Sequence, residues 1–182
     1  MIVNFVAPGG AGKSAIINAL IAADSESFAT PVSYTSRPPR RGERDGVDYH
    51  FKTKDQILSL ADKIAVHQTS TGIVYANRIS TFRDTGKVLL STLRPQGVAE
   101  LERFVPNILV LYLTVDLPER IRRMRARGDA ECDIQDRIRR DEIELESLQT
   151  IPMRSRQAWI DCSRPLVEVV KEVRAVISSQ YY

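Results

Sequence analysis

Apolar residues along this chain group into runs of two kinds. Ile2-Val3-Asn4-Phe5-Val6, Lys87-Val88-Leu89-Leu90-Ser91 and Ile108-Leu109-Val110-Leu111-Tyr112-Leu113 are almost continuous. Such runs suit strands of a parallel sheet covered on both faces. Other stretches repeat at helical spacing. Ala15-Ile16-Ile17-Asn18-Ala19-Leu20-Ile21 reads as a helix, and residues 165–178 place Leu166, Val169, Val170, Val173 and Ile177 on one face. Asp116-Leu117-Pro118-Glu119 predicts another helix start, with Asp116 as N-cap, Glu119 completing a capping box and Gly128 as the stop. A charged helix is predicted over about 133–148, and Thr53-Lys54-Asp55-Gln56 opens one that runs through Ala61.

Shorter signals fill the gaps. Strands are predicted at 31–35 and 47–51, and a hairpin at 64–69 and 72–75 turning at Ser70-Thr71. A short helix is expected at 81–85, closed by Gly86, and a last strand at 158–161, with Trp159 packing it into the core. Strands and helices alternate, which predicts a doubly wound α/β domain with a parallel sheet and helices on both faces. The 182 residues suit one such domain.

Composition narrows the function classes. Hydrophobic content is 43% and charged content 27%, and no apolar run approaches a membrane-spanning length. Cys132 and Cys162 form no Cys-x-x-Cys, so neither a disulfide framework nor a zinc site is indicated. With no signal-peptide pattern, a cytoplasmic protein is expected, as monomer or homodimer. The net charge of +3 suits an anionic substrate, and no nucleic-acid or membrane partner is indicated.

The most informative chemistry follows the first strand. Ala7-Pro8-Gly9-Gly10-Ala11-Gly12-Lys13-Ser14 is a glycine-rich turn leading into a helix. Its backbone N–H groups can converge on a polyphosphate, and the helix N-terminus adds partial positive charge. Gly9, Gly10, Ala11, Gly12, Lys13 and Ser14 are therefore candidates to hold ATP. Lys13 would reach the outer phosphates, and the Ser14 hydroxyl would bind Mg²⁺. Ala7 replaces the glycine that usually opens this pattern. A second stretch, Arg37-Pro38-Pro39-Arg40 with Tyr49 beyond it, sets two guanidinium forks around a rigid turn. Such forks match phosphate oxygens bidentately.

The run Thr35-Ser36-Arg37-Pro38-Pro39-Arg40-x-Gly42-Glu43-x-x-Gly46-x-Asp48-Tyr49-x-Phe51 strongly resembles the guanylate kinase family, as does the phosphate loop with Pro8 and Gly10. Looser likeness extends to Tyr75, Gln96-Gly97 and Arg127-Gly128. The resemblance implies a P-loop NTPase fold with a core (1–31, 84–124, 145–182), a monophosphate-binding insertion (32–83) and a lid (125–144). It implies that Ser33, Arg37, Arg40, Tyr49 and Tyr75 hold an acceptor nucleoside monophosphate, most simply GMP or dGMP. Arg127 and Arg137 would close on the triphosphate and act with Lys13 in catalysis. Of the arginines on the helix before Arg127, Arg120, Arg122 and Arg123 are expected on a solvated face.

The departures concern the base. The family reads guanine with two carboxylates, where this chain has Val66 or His67 and Leu93-Arg94-Pro95. Arginine donates and cannot accept, so Arg94 would meet a base carbonyl or a second phosphate. Two other readings follow. Ribose bisphosphate kinases share the fold and carry a similarly placed arginine, and other guanylate kinase-like domains are inactive phospho-ligand-binding modules.

Overall fold

The computed structural model describes residues 1–182 except 41, 70, 84–85, 149–153 and 180–182, with 143–148 described through their backbone. From the N-terminus the elements are β1 (Ile2–Val6), α1 (Lys13–Ala23), β2 (Phe28–Ala29), β3 (Tyr34–Thr35), β4 (His50–Phe51), α2 (Lys54–Leu58), β5 (Lys63–Gln68) and β6 (Val74–Arg78). After a 3₁₀ turn at Ile79–Phe82 come β7 (Val88–Ser91), α3 (Pro95–Leu101), β8 (Ile108–Thr114), α4 (Leu117–Ala126), α5 (Glu131–Leu148), β9 (Arg156–Asp161) and α6 (Leu166–Ser178).

The three apolar runs become the centre of a five-stranded parallel sheet in the order β2-β7-β1-β8-β9. β1 lies between β7 and β8, pairing Val3 with Leu90 on one side and with Leu109 on the other. Both faces are covered, which explains why these strands show no polar alternation. Val3 and Phe5 face Ile16 and Leu20 of α1 and Val169, Val173 and Ile177 of α6. Ile2 and Val6 face the opposite way, with Val98 and Leu101 of α3, Ile64 of β5 and Phe82. Each such side chain contributes about 1.5–3 kcal/mol of transfer free energy.

A separate four-stranded mixed sheet has the order β4-β3-β6-β5. β3 pairs parallel to β4 and antiparallel to β6, and β5 and β6 form the predicted hairpin, which extends to Arg78. Its apex residue Ser70 lies outside the described residues. The Thr53/Gln56 capping box is present in full, but α2 ends at Leu58.

Several expectations are corrected. The strand predicted at 31–35 contracts to Tyr34–Thr35, because Pro31 lacks an N–H and Pro38-Pro39 closes the other end. The strand at 47–51 contracts to His50–Phe51, since Val47 and Asp48 turn back onto Arg44 through backbone bonds of 3.2 and 3.1 Å. The helix at 81–85 is instead the 3₁₀ turn at Ile79–Phe82, and positions 84–85 lie outside the described residues. β2 and α3 carry no prediction. β2 is two residues long, and Pro95 and Gly97 look like breakers, yet Pro95 occupies the first turn of α3, where its missing N–H costs nothing. Trp159 is 63% exposed and stacks on Tyr112 at 5.0 Å, because β9 is the edge strand and its side chains alternate. Among the described residues no helix is long and apolar enough to cross a membrane.

Candidate active site

β1 delivers the chain into the glycine-rich turn at the carboxyl end of the sheet. Gly10 and Gly12 have φ of +83° and +94°, and a Cβ on Gly10 would lie 2.8 Å from the carbonyl oxygen of Arg120. Gly12 is also the N-cap of α1, which has no capping side chain and no acidic residue in its first turn. A helix start of this kind carries the partial positive charge that favours an anion. A cavity of about 520 Å³ is lined by Gly9, Gly10, Ala11, Gly12, Lys13 and Ser14 and rimmed by Arg94, Arg123, Arg127, Arg137 and Arg140. Among the described residues, five guanidinium groups against one rim carboxylate, Asp141, make its field positive.

α4 and α5 hold this loop from above. Arg120 is 7% exposed, donates through Nε to the carbonyl of Gly9 at 2.9 Å, and pairs with Asp141 of α5. Asp141 also accepts the amide of Gly9 at 2.7 Å. The solvated face expected for Arg120 and Arg123 is therefore corrected. Arg120 shares the inward side of α4 with Met124, and Arg123 reaches the carbonyl of Cys162 at 2.8 Å. Arg122 is on the solvated face, paired with Glu119. Glu119 closes no capping box. It binds Arg122 and Arg123, and their hydrogen bonds pull its carboxyl down to about 2. Arg127 pairs with Asp129, whose hydrogen bond raises the guanidinium pKa, and Arg137 packs against Gly9.

A second cavity of about 680 Å³ opens between the two sheets. Ser33, Tyr49, Tyr75 and Arg94 line it with Asp48, His67, Asn77 and Glu100. The Ser33 hydroxyl donates to Oδ1 of buried Asn77 at 2.8 Å, and the Tyr49 and Tyr75 rings meet edge to face at 6.1 Å. Arg37 and Arg40 are brought beside this cavity without lining it. Arg37 is buried, with both terminal nitrogens 2.6 Å from the carboxylate of Glu43 and its guanidinium 5.0 Å from the Tyr49 ring. Glu43 also accepts the backbone amide of Arg40 at 2.7 Å, while the Arg40 side chain is exposed. The Arg37 hydrogen bonds hold the Glu43 carboxyl down to about 2, and the same bonds raise the pKa of Arg37, helped by the Tyr75 hydroxyl. The His50 ring lies 4.6 Å from that of Tyr34, tilted by 33°.

The two cavities share Thr92, Leu93 and Arg94. Arg94 is exposed and has no partner among the described residues. Its position depends on Asn4, a polar residue buried in β1. Asn4 donates to the carbonyl of Leu93 at 3.1 Å, and its Oδ1 accepts from the amide of Leu93 and the hydroxyl of Ser91, both at 2.7 Å. Sequence reasoning missed Asn4, Asn77, Glu100 and Asp141. Asn4 alone carried a signal, as the polar member of an otherwise apolar strand.

The guanylate kinase family profile matches residues 2–152. The guanylate kinase of Alkalilimnicola ehrlichii is 33% identical over 137 residues, spanning 72% of this chain and 67% of its own length. That of Enterococcus faecalis is 27% identical over 184 residues, spanning 96% and 86%. The crystal structure of guanylate kinase from Anaplasma phagocytophilum superposes with a TM-score of 0.63 at 18% identity, covering 99% of this chain and 85% of that one. A phosphate loop, an arginine-tyrosine cavity joined to it, and a family profile that spans most of the residues lead to one conclusion: the chain belongs to the guanylate kinase family.

Proposed function

We propose that this protein transfers the terminal phosphoryl group of ATP to a nucleoside monophosphate, GMP or dGMP, yielding the diphosphate. Membership of the family implies ATP use and a monophosphate acceptor. The observation that carries the reading is the meeting of the phosphate-loop cavity and the tyrosine cavity at Thr92, Leu93 and Arg94. A donor in one and an acceptor in the other would place two phosphate chains end to end, as in-line transfer requires.

In this reading the loop amides and Lys13 hold the donor phosphates, and Arg94, Arg127 and Arg137 offset charge on the transferred group. Ser33, Tyr49 and Tyr75 orient the acceptor, with Arg37 and Arg40 supplying the phosphate donors at its edge. Among the described residues no group of three or more His, Cys, Asp or Glu could hold a metal ion alone. Mg²⁺ beside Ser14 would take its other ligands from phosphate and water, as that small ion ordinarily does, and would supply charge neutralisation. Residues 32–83 act as the monophosphate-binding insertion and 125–144 as a lid over the core formed by the rest.

The test is a mass-resolved transfer assay with ATP and Mg²⁺ against GMP, dGMP, AMP, dTMP, dCMP, UMP and ribose bisphosphate. Transfer to GMP or dGMP, reduced about a hundredfold or more in Lys13→Ala, is the expected result. Preference for AMP or a pyrimidine nucleotide refutes the guanine acceptor, and transfer to ribose bisphosphate alone, or to nothing, refutes the reading as a whole.

A further inference from the structure

The tyrosine cavity holds a carboxylate that neither sequence motif contributes. Glu100 lies on α3, and its Oε2 accepts the backbone N–H of Ala65 at 2.8 Å. β5 is irregular there: its register with β6 shifts between Ile64 and His67, and Ala65 has φ of +51°. A residue with a Cβ adopts that left-handed backbone only when its surroundings compensate, and the Glu100 bond is one such compensation. Gly97 allows the close approach, since a Cβ on it would lie 2.6 Å from the Cβ of Ala65. Glu100 is thus clamped at one oxygen. Oε1 has no partner among the described residues, and the side chain is half-buried in the cavity wall beside Val66, His67 and Gln96.

We propose that Glu100 reads the base of the acceptor nucleotide and selects guanine. This inference rests on the mononucleotide kinase reading above. Guanine presents two N–H donors side by side, at N1 and at the 2-amino group, and an ionised carboxylate is an acceptor at both oxygens. Adenine and cytosine set an amino donor beside an unprotonated ring nitrogen, which would face a carboxylate oxygen with no hydrogen between them. Val66 in the cavity wall and Arg94 in the turn before Gln96 carry no acceptor in their side chains. The acid comes instead from further along α3, pre-oriented by the Ala65 amide. That preorganisation lowers the rotamer cost of binding.

Glu100 also ties β5 to α3, so the test must separate support from recognition. Glu100→Gln keeps a carbonyl oxygen for the Ala65 amide and replaces the other acceptor with an N–H donor. Steady-state kcat/KM would be measured for GMP, IMP (which lacks the 2-amino group), AMP and CMP, with a thermal melt of each protein. Wild type is expected to favour GMP over IMP by about tenfold or more. Glu100→Gln should lower kcat/KM for GMP about 10- to 100-fold and bring the GMP/IMP ratio close to one, with its melting temperature little changed. The ratio does not depend on the fraction folded, so a less stable variant still gives a clear reading. An unchanged GMP/IMP ratio in Glu100→Gln overturns the assignment and leaves the kinase reading intact, whereas a wild type that prefers AMP or CMP overturns both the assignment and the guanine acceptor but leaves a mononucleotide kinase. A wild type that phosphorylates no mononucleotide defeats the kinase reading itself, and the assignment falls with it.

Discussion

Replacing Asp141 with alanine removes a carboxylate that joins α5 to both Arg120 and the phosphate loop. The Arg120 and Asp141 side chains are 8% and 14% exposed. In Asp141→Ala the Arg120 guanidinium keeps, among the described residues, the Gly9 carbonyl, and the Gly9 amide loses its acceptor. Removing one member of a buried pair costs about 3–5 kcal/mol, because the surviving charge stays desolvated. Water can enter from the adjoining cavity, which places this site near about 3 kcal/mol. For a domain of this size that is a fall in Tm of roughly 6–12 °C. Arg120→Met should cost less, since Asp141 lies nearer solvent. The double variant should then cost clearly less than the sum of the two, with a coupling of about 2 kcal/mol. Urea denaturation of the four proteins without nucleotide measures this, provided the slope m is common to them. Additivity within about 0.5 kcal/mol would refute the pairing as the source of the effect.

Other outcomes follow from the same contacts. Asn4→Leu leaves the amide of Leu93 and the hydroxyl of Ser91 without their acceptor, for a loss of about 1–3 kcal/mol in urea denaturation. Because Leu93 precedes Arg94, steady-state assays should also show kcat/KM lowered about tenfold, equivalent to about 1.4 kcal/mol at the barrier. Acid melts address Glu43, whose carboxyl lies at about 2 in the folded protein against an ordinary 4.5. In that interval the unfolded chain binds the extra proton, so stability rises with pH: it is full above about 4.5 and lost as pH falls towards 2. Asp62 and Glu119 are also held at about 2, so Glu43→Gln should flatten the slope of Tm against pH between those limits without abolishing it. An unchanged slope would count against the Arg37 pairing.

The arginine-proline motif binds its own carboxylate before it binds anything else. Glu43 takes both terminal nitrogens of Arg37 and the amide of Arg40, which ties the two arginines of the motif to one carboxylate. Arg37 is further packed against Tyr49 and Phe51 at 5.0 and 5.6 Å. A buried guanidinium so restrained loses little rotamer entropy when a phosphate arrives at its edge. Arg40, exposed and restrained only through its backbone, retains that freedom.

What the sequence determined by itself rests on interactions between residues close along the chain. The parallel strands are legible because two-sided burial removes polar alternation from 2–6, 87–91 and 108–113. Thr53 and Gln56 cap each other across three positions, and Gly10 and Gly12 mark a left-handed turn that needs no partner to be recognised. The arginine-tyrosine motif was legible for the same reason, as a contiguous pattern of residue types. What only the tertiary structure decided lies in pairs far apart in sequence. Asn4 meets Leu93 across 89 positions, Glu100 meets Ala65 across 35, and Asp141 meets Gly9 across 132. Asn4 stands out in its apolar strand but its partners do not, and neither acid has a local signature, because an acid on a helix looks the same whether it faces solvent or a phosphate loop. Trp159 shows the converse: an aromatic in a strand is read as core until the sheet order makes that strand an edge. Burial and partner choice depend on which surfaces the folded chain brings together, and local preferences carry no information about that.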